Sequence, residues 1–492
     1  MPAVRIWPQT AALLSAATLV AVAGCSTGGG EADEFVNTEY ESTDLTAPQI
    51  ELSAADGDRS DEYFFVGPKS RETGQWSGRT IIDDEGEPVW IQEDDEAQEA
   101  DEPTAGWDLR VQEYRGEPVL TWWEGIVDTP LAEGEVVVVD QSYEEIARVG
   151  MGGDLPHRMV DLHETTITDE GTMLLIAYVP TEADLSEVGG DADGWVWDGV
   201  IQEIDIETGE VLLDWSSLDH IAVTESERDF EDDAGTEDKP YDYFHGNSVT
   251  VDDDGSLLVS ARNTHAIYNL ERETGEVNWT LGGPGSDFDM PEDAYFAWQH
   301  DAERSADGAL TLFDNQSSPT LGESSRGLRL GVDPEAKTVE VLDEFLPPVP
   351  RIAANQGSYQ ELENGNVVVG WGALPSFTEY TADGEVVRDG TVGADSNYRA
   401  YLSEWTGMPT EPPAAAMKTA DEETHVYVSW NGATEVAQWR VLAGADAGAR
   451  QEIATADRDG FETAIPVPDD LDNVIVQALD EDGEVLGSTT AD

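Results

Sequence analysis

One short pattern recurs along most of the chain and constrains its fold more than any other feature. It consists of an alternating apolar strand, a turn built on Asp, Asn or Glu followed by Gly, and a second strand that often ends in Trp. After about Tyr63 the repeats read TIIDDEGEPVWIQ, TITDEGTMLLIAY, EIDIETGEVLLDW, TVDDDGSLLVSA, NLERETGEVNWTL, SADGALTLFDN, ELENGNVVVGW and EYTADGEVVRDG. Glycine supplies the positive φ of a tight turn, and the acidic residue before it bonds its own backbone. Each repeat therefore predicts a β-hairpin.

The hairpins combine in pairs into units of four strands. Six such units cover about residues 62–92, 112–150, 160–216, 245–282, 298–346 and 356–392. No segment with helical periodicity and comparable length interrupts them, so the predicted fold class is all-β. Regular repetition of four-stranded sheets is typical of a β-propeller, whose radial closure protects the strand edges. We predict a six-bladed β-propeller over residues 60–410, with five or seven blades as alternatives because the first two units match less well.

Three histidines occupy the same place in three successive units. They are His163, eight residues before Gly171, His245, ten before Gly255, and His300, eight before Gly308. In the sixth unit Gln356 stands nine residues before Gly365. These positions precede the predicted innermost strands, which surround the central channel of a propeller. The shared position favours a polar site over three unrelated structural histidines.

Two arginines accompany the histidines in an otherwise acidic span. Arg262 ends the strand that follows His245, so it is expected on the same unit. Arg326, in the SSRG turn, is a candidate second cation at the rim, with a structural salt bridge as the alternative. Guanidinium groups suit the oxygens of a sulfuryl or phosphoryl group, and a neutral imidazole can act as a nucleophile or carry a proton. Three histidines can also bind a transition metal, and spacing does not exclude that alternative.

Several segments in this order resemble one protein family: FHGNSV, LLVSAR, IYNLERETGEVNWTLGG, FAWQHDAE, TLFDN, SSRGL and NGNVVVGWG. They are similar to the arylsulfotransferase family of bacterial secreted and surface propellers, over roughly residues 60–410. The resemblance implies transfer of a sulfuryl group from an aryl sulfate to a phenol through a sulfohistidine. It implies small-molecule aryl sulfates and phenols as partners, no nucleotide sulfate donor and no cofactor.

The resemblance also implies roles for individual residues. His300, in WQHD, corresponds to the nucleophile. His245 and Arg262 correspond to the groups that hold the sulfuryl oxygens, and Asn247 orients His245 or donates to an oxygen. His163, in DLHE, corresponds to the acid for the departing phenolate and the base for the incoming phenol.

Two other functions use the same residues. A propeller of this kind that has lost catalysis would bind an anionic ligand or a metal at the cell surface. An enzyme that accepts water in place of a phenol would hydrolyse sulfate esters. Both alternatives stay open at the level of sequence.

The charge balance limits the possible partners and indicates the environment. The chain has 24 Lys and Arg against 105 Asp and Glu, a formal net charge of −81, and the excess is spread along its length. A uniform acidic surface is typical of adaptation to high salt, where screening weakens self-repulsion. Nucleic acid is not expected as a partner, because no basic footprint is present.

The first residues resemble a bacterial lipoprotein signal. An apolar run after Arg5 ends in the lipobox Val22-Ala23-Gly24-Cys25, and Cys25 is the only cysteine of the chain. We predict a signal peptide over residues 1–25, lipidation of Cys25 and a location at the extracellular face of the membrane. Residues 26–59, small, polar and acidic, are predicted as a flexible tether. An ordinary signal peptide with an incidental cysteine is the alternative.

The composition changes again near the C-terminus. Residues 411–423 are rich in Pro and Ala and are predicted as a linker. Residues 424–492 resemble a fibronectin type III or immunoglobulin-like β-sandwich, with Trp430 and Trp439 as expected core residues.

Two long insertions, roughly 180–198 and 217–243, leave the third unit. Both are acidic, and the hairpin pattern does not require them. Long loops in compact folds are often functional, so we expect walls or lids over the channel mouth.

Overall fold

Antiparallel β-sheet makes up almost all of the protein. The structure is a computed structural model that describes residues 37–491 except 56, 58, 71–74, 95–103, 129–130, 232, 319, 421–422 and 447. Its helices among the described residues are three short 3₁₀ turns, Ser217–Asp219, Val223–Glu225 and Glu292–Ala294. None of these described helices is long and apolar enough to cross a membrane. The prediction of an all-β fold is confirmed.

Part of the segment predicted as a flexible tether is ordered. Strand β1 (Thr38–Glu39) pairs with β2 (Thr46–Ala47), and β3 (Ile50–Ala54) lies at the edge of a larger sheet described below. The backbone N–H of Ser42 donates to Glu462 Oε2 at 2.6 Å. The tether prediction over 26–59 rested on its small, polar and acidic residues, and these strand pairings and side-chain contacts hold part of that segment in place. Cys25 and the predicted signal peptide lie outside the described residues.

The hairpin repeats form six sheets, numbered here in chain order. Sheet 1 contains three strands from the start of the repeat region, β4 (Tyr63–Lys69), β5 (Gly78–Ile82) and β6 (Pro88–Glu93), and a fourth strand given below. Sheet 2 contains β7 (Ala105–Tyr114), β8 (Glu117–Asp128), β9 (Leu131–Val139) and β10 (Glu145–Val149), and sheet 3 contains β11 (Thr165–Ile167), β12 (Thr172–Ala183), β13 (Gly194–Asp205) and β14 (Val211–Ser216). Sheet 4 contains β15 (Gly246–Val251), β16 (Leu257–Ala261), β17 (Ala266–Leu270) and β18 (Val277–Gly282), and sheet 5 contains β19 (His300–Arg304), β20 (Leu310–Asp314), β21 (Arg326–Asp333) and β22 (Thr338–Phe345). Sheet 6 contains β23 (Ser358–Glu361), β24 (Val367–Gly370), β25 (Ser376–Tyr380) and β26 (Val386–Val392), with β3 as a fifth strand beside β26.

Sheet 1 draws its strands from both ends of the repeat region. Strand β27 (Ser396–Ser403) pairs with β4, and Tyr401 lies opposite Phe65, so the order is β27-β4-β5-β6. The first predicted unit, 62–92, therefore supplies three strands and not four. Residues after the sixth unit complete it.

Apolar clusters join each sheet to the next. One cluster contains Trp90 of sheet 1 and Trp122 of sheet 2, and further clusters join sheets 2 and 3, 3 and 4, 4 and 5, and 5 and 6. A last cluster joins sheet 6 to sheet 1, where the rings of Phe64 and Phe377 lie 4.6 Å apart. The sheets thus contact one another in a cyclic order. The first strand of each sheet is, in turn, β27, β7, β11, β15, β19 and β23. Most of these strands touch the first strand of a neighbouring sheet.

The first of the two predicted insertions is largely regular structure. Strands β12 and β13 extend into it, and they pair from Thr172 and Asp205 as far as Ala183 and Gly194. The second insertion holds two of the 3₁₀ turns, and Ile221 within it joins an apolar cluster of sheets 3 and 4.

The C-terminal region forms two further sheets. One has the order β28-β29-β32 and the other β31-β30-β33-β34. The strands are β28 (Ala414–Ala420), β29 (Glu423–Ser429), β30 (Gln438–Ala443), β31 (Gln451–Asp457), β32 (Glu462–Val467), β33 (Ile475–Leu479) and β34 (Val485–Thr490). Trp430 and Trp439 are buried in a cluster that both sheets share. Most of the predicted linker, 411–423, is strand β28, because pairing with β29 satisfies its backbone.

Candidate functional site

The structure brings His163, His245 and His300 together. The ring centroids of His163 and His245 lie 5.0 Å apart, and those of His163 and His300 lie 6.2 Å apart. Each histidine stands at or just before the first strand of its sheet, in sheets 3, 4 and 5. Because those strands are neighbours, residues far apart in sequence converge at one end of them.

His300 is held at both ring nitrogens and is completely buried. Its Nδ1 lies 2.9 Å from the carbonyl oxygen of Trp298 and 2.8 Å from Asn315 Oδ1, so the proton is on Nδ1. Its Nε2 accepts the backbone N–H of Gln356 at 3.1 Å. Burial, with His163 and Arg262 nearby, holds the pKa of His300 well below its usual range. The ring is therefore neutral, with its lone pair on Nε2.

His245 belongs to an ion-pair cluster at the start of sheet 4. It has a φ of 55°, and its Nδ1 donates to Asp242 Oδ2 at 2.8 Å. The same oxygen accepts from Arg262 at 3.4 Å and from Arg228 at 3.2 Å. Burial and the charge of Arg262 lower the pKa of His245 to about 4, against the opposing effect of Asp242. Its Nε2 is buried and has no hydrogen-bond partner among the described residues.

Aromatic rings line the histidine cluster. Tyr178 stacks on His245 with 5.2 Å between ring centroids, and its hydroxyl donates to the carbonyl of Gly246 at 2.5 Å. The guanidinium carbon of Arg262 lies 4.4 Å from the ring centroid of Trp298. This contact and a bond from Nε to Asn263 Oδ1 at 3.1 Å fix the plane of the guanidinium. A planar cation thus stands beside neutral histidines, which is an arrangement that can receive an oxyanion.

His163 pairs with a different carboxylate. Its Nδ1 donates to Asp161 Oδ1, and its backbone N–H donates to the same oxygen at 3.0 Å. The carbonyl oxygen of His163 accepts from the Tyr398 hydroxyl at 2.9 Å. The side chain of His163 is 12% exposed, whereas His300 is fully buried.

Two other predicted residues have partners outside the histidine cluster. Asn247 is buried and donates from Nδ2 to the carbonyl of Gln299 at 2.7 Å, and among the described residues neither its Oδ1 nor His245 Nε2 has a hydrogen-bond partner. Arg326 contacts Asp314 at 2.9 Å, Glu344 at 2.7 Å and the carbonyl of Tyr295 at 2.8 Å. Its guanidinium is therefore committed to ion pairs, as in the structural alternative for this residue.

A buried charged network lies beside the histidines. Arg399 of β27 approaches Asp108 at 3.2 Å, Glu164 at 3.4 Å and Asp301 at 3.4 Å. It also donates to the carbonyl of Asn247 at 3.4 Å. Glu164 and Asp301 directly follow His163 and His300, and Asn247 follows His245 by two residues. One guanidinium thus contacts a near neighbour of each histidine.

This network was not predicted from sequence. The signal was present as an acidic or amide residue one or two positions after each histidine in DLHE, HGNS and QHDAE. Nothing in the sequence indicated that Arg399 would meet them.

In the described part of the chain, no group of three or more His, Cys, Asp or Glu side chains is arranged to hold a metal ion. The Nδ1 atom of each of the three histidines has a carbonyl, amide or carboxylate partner, so each ring is held by a different residue.

Comparison with known proteins assigns a family. The model of the family described as arylsulfotransferase (ASST) matches residues 110–393, which is more than half of the chain. No curated protein matches the sequence.

Several solved structures are similar at low identity. A protein of unknown function from Bacteroides caccae is 11% identical with a TM-score of 0.40, and the match covers 69% of this chain and 98% of that one. A catalytically inactive virginiamycin B lyase from Staphylococcus aureus with quinupristin is 12% identical with a TM-score of 0.35, covering 78% and 97%. A putative 6-phosphogluconolactonase from Bacteroides uniformis is 11% identical with a TM-score of 0.35, covering 70% and 100%. Likenesses this weak carry no argument about activity.

Proposed function

The chain belongs to the arylsulfotransferase family, and from this membership we propose that it transfers a sulfuryl group from an aryl sulfate to a phenol through a sulfohistidine. The observation that carries the proposal is the convergence of three histidine rings beside Arg262. In a chain of net charge −81, a local cation beside the neutral rings of His245 and His300 is what an anionic donor requires.

We assign the nucleophile to His300. Its Nδ1 proton is engaged by Trp298 and Asn315, so the lone pair for attack on sulfur is on Nε2. The depressed pKa keeps that lone pair free of a proton at neutral pH. The N–H of Gln356, which now meets Nε2, must turn away when the N–S bond forms. It would then be close to a sulfuryl oxygen and able to donate to it.

Arg262 is the proposed contact for the sulfuryl oxygens. Its planar donors match a group with several oxygens, and stacking on Trp298 keeps them in a fixed orientation. Neutral His245 accepts at Nε2 but cannot donate there, because its proton is on Nδ1. A bound sulfuryl anion would favour its protonation and convert it to a second donor.

His163 is the proposed proton carrier. In the first half-reaction it gives a proton to the departing phenolate oxygen, and in the second it takes the proton of the incoming phenol. Its partial exposure suits a residue that exchanges protons with successive substrates.

A second candidate function is ligand binding without turnover. The observation in its favour is that His300 is fully buried and its Nε2 already accepts a hydrogen bond. If Gln356 does not move, an anion would bind at Arg262 and no bond to sulfur would form.

Release of 4-nitrophenol from 4-nitrophenyl sulfate in molar KCl, with and without phenol, tests the proposal. We expect release that depends on phenol and is abolished in His300→Asn, with phenyl sulfate as the second product. Release that is independent of phenol and yields free sulfate would indicate hydrolysis. A folded protein that gives no release with several aryl donors, but whose melting temperature rises with them, would establish the binding function instead.

We propose in addition that the six sheets are the blades of a closed six-bladed propeller, with an immunoglobulin-like sandwich after it. The cyclic order of the apolar clusters and the pairing of β27 with β4 support closure. We also propose that Cys25 is lipidated and holds the enzyme at the outer face of the membrane. Loss of metabolic fatty-acid labelling in Cys25→Ser is the expected result, and retained labelling would contradict it.

A further inference from the structure

We propose that Asp161 is the positioning residue that makes His163 a proton carrier in the sulfuryl transfer. The inference deepens the proposed function and rests on it. It depends on a difference between two carboxylates, Asp161 and Asp242, that each hold one histidine of the cluster.

Asp161 is fixed by burial and by a backbone hydrogen bond as well as by its contact with His163. It is buried, and its backbone N–H donates to the carbonyl of Ile176 in β12 at 2.8 Å. Its Oδ1 accepts both the backbone N–H and the Nδ1 of His163. The two bonds close a short ring that sets the side-chain torsions of His163. In the neutral ring the proton is therefore on Nδ1, and Nε2 is the nitrogen that exchanges a second proton with a substrate oxygen.

Asp242 makes the same type of bond to His245 in different electrostatic surroundings. Its Oδ2 also accepts from Arg228 at 3.2 Å and Arg262 at 3.4 Å, so two guanidinium groups share its negative charge. Within the described residues, the carboxylate of Asp161 has an ion pair with His163 and with no Lys or Arg. The oxygen of Asp161 that holds His163 is thus shared with no guanidinium among the described residues, whereas the oxygen of Asp242 that holds His245 is shared with two.

The proton balance of the reaction shows what His163 must do. When His300 Nε2 bonds to sulfur, the bond from sulfur to the aryl oxygen breaks, and the electron pair stays on that oxygen. Protonated His163 supplies the proton, so a neutral phenol leaves and His163 becomes neutral. The acceptor phenol then returns a proton to His163 as its oxygen bonds to sulfur and the N–S bond breaks. No other reactant is consumed.

A series of aryl sulfates with leaving phenols of increasing pKa tests the role. In Asp161→Asn we expect kcat/KM to fall about 10²-fold for phenyl sulfate, whose phenolate needs a proton, and less than about tenfold for 4-nitrophenyl sulfate. The matched control Asp242→Asn removes a similar buried carboxylate, and we expect it to lower kcat/KM by a similar factor for every donor. An equal loss across the series in Asp161→Asn would overturn the proposal.

Nitrogen-15 NMR of the histidines gives a readout that does not need turnover. At a pH where His163 is neutral, we expect it to show one tautomer with the proton on Nδ1 in the wild type and a mixture of tautomers in Asp161→Asn, with His245 unchanged. An unchanged His163 tautomer would overturn the proposal. Failure of the wild type to turn over any aryl sulfate would contradict the proposed function, and the spectra would still test the positioning. Asp161→Glu replaces Asp161→Asn in both measurements if the latter does not fold.

Discussion

At the scale of single residues, burial separates the groups of the site into neutral and charged ones. His245 and His300 lose solvent and stand near Arg262, so both pKa values are depressed. Arg262 stays charged, because an arginine is not deprotonated in a protein. An anionic sulfate ester therefore approaches the fixed positive charge of Arg262 and the unprotonated Nε2 atoms of His245 and His300.

Replacement of Arg262 tests this division. We expect Arg262→Lys to lower kcat/KM for aryl sulfates about 10²-fold, because a lysine cannot present planar donors or stack on Trp298 in the same way. Steady-state kinetics with 4-nitrophenyl sulfate measures the effect.

Arg326→Lys is the comparison for that experiment. Its guanidinium is occupied by Asp314, Glu344 and the carbonyl of Tyr295, so we expect lower thermal stability and little change in kcat/KM. A larger kinetic loss for Arg326→Lys than for Arg262→Lys would contradict the assignment.

The sequence carried much of the information about individual site residues. Spacing from the turn glycines was enough to group His163, His245 and His300, because the repeats impose one register on all sheets. The carboxylates Asp161 and Asp242 stand two and three residues before a histidine, a spacing that allows a local contact with the ring. The contact between Gln356 and His300 could not be predicted, because it joins a backbone N–H of one sheet to a side chain of another.

At the scale of elements, the first strands of the sheets share a buried charge network as well as apolar clusters. Arg399 on β27 contacts Asp108 of β7, Glu164 before β11 and Asp301 of β19. Its guanidinium carbon also lies 5.2 Å from the ring centroid of Tyr398. Arg399 lies on β27, the first strand in the order of sheet 1, and it therefore connects the elements that carry the histidines.

We expect Arg399→Met to destabilise the protein by about 3 kcal/mol or more, because buried Asp301 loses its ion-pair partner and Asp108 and Glu164 keep only Arg110 among the described residues. Arg440→Met, which removes only bonds to Gln477 in the C-terminal sheets, should cost much less. Urea unfolding in molar KCl gives both values. Equal effects of the two substitutions would show that the network does not support the first strands.

The hairpin pattern predicted most strands and missed three. Strands β3, β27 and β28 pair with segments far away or lack the acidic-glycine turn, so the pattern did not identify them. Residues 26–59 and 411–423 were consequently predicted as tether and linker, although both contain strands. Local turn chemistry identifies hairpins, whereas single strands depend on long-range pairing.

At the scale of the whole molecule, charge dominates. A net charge of −81 repels itself in dilute buffer, and most of it is carried by exposed residues spread over the described chain. The histidine cluster instead holds Arg262 beside the neutral rings of His245 and His300. Salt should thus act on stability through the surface.

We expect the melting temperature to rise as KCl increases from millimolar to molar concentrations, because screening weakens repulsion in the folded state more than in the expanded unfolded chain. Differential scanning calorimetry measures the change, and sucrose at matched osmolality separates charge screening from general exclusion. A melting temperature that is constant or falls with KCl would contradict adaptation to salt.

The covalent intermediate is the most direct test of the account. The protein is incubated in molar KCl with sulfur-35-labelled 4-nitrophenyl sulfate and no acceptor, and the labelled peptide is identified under alkaline conditions, which preserve an N–S bond. We expect one label per chain on the peptide that contains His300, its removal by added phenol and its absence in His300→Asn. Label on the peptide that contains His245, or turnover without any labelled histidine, would contradict it.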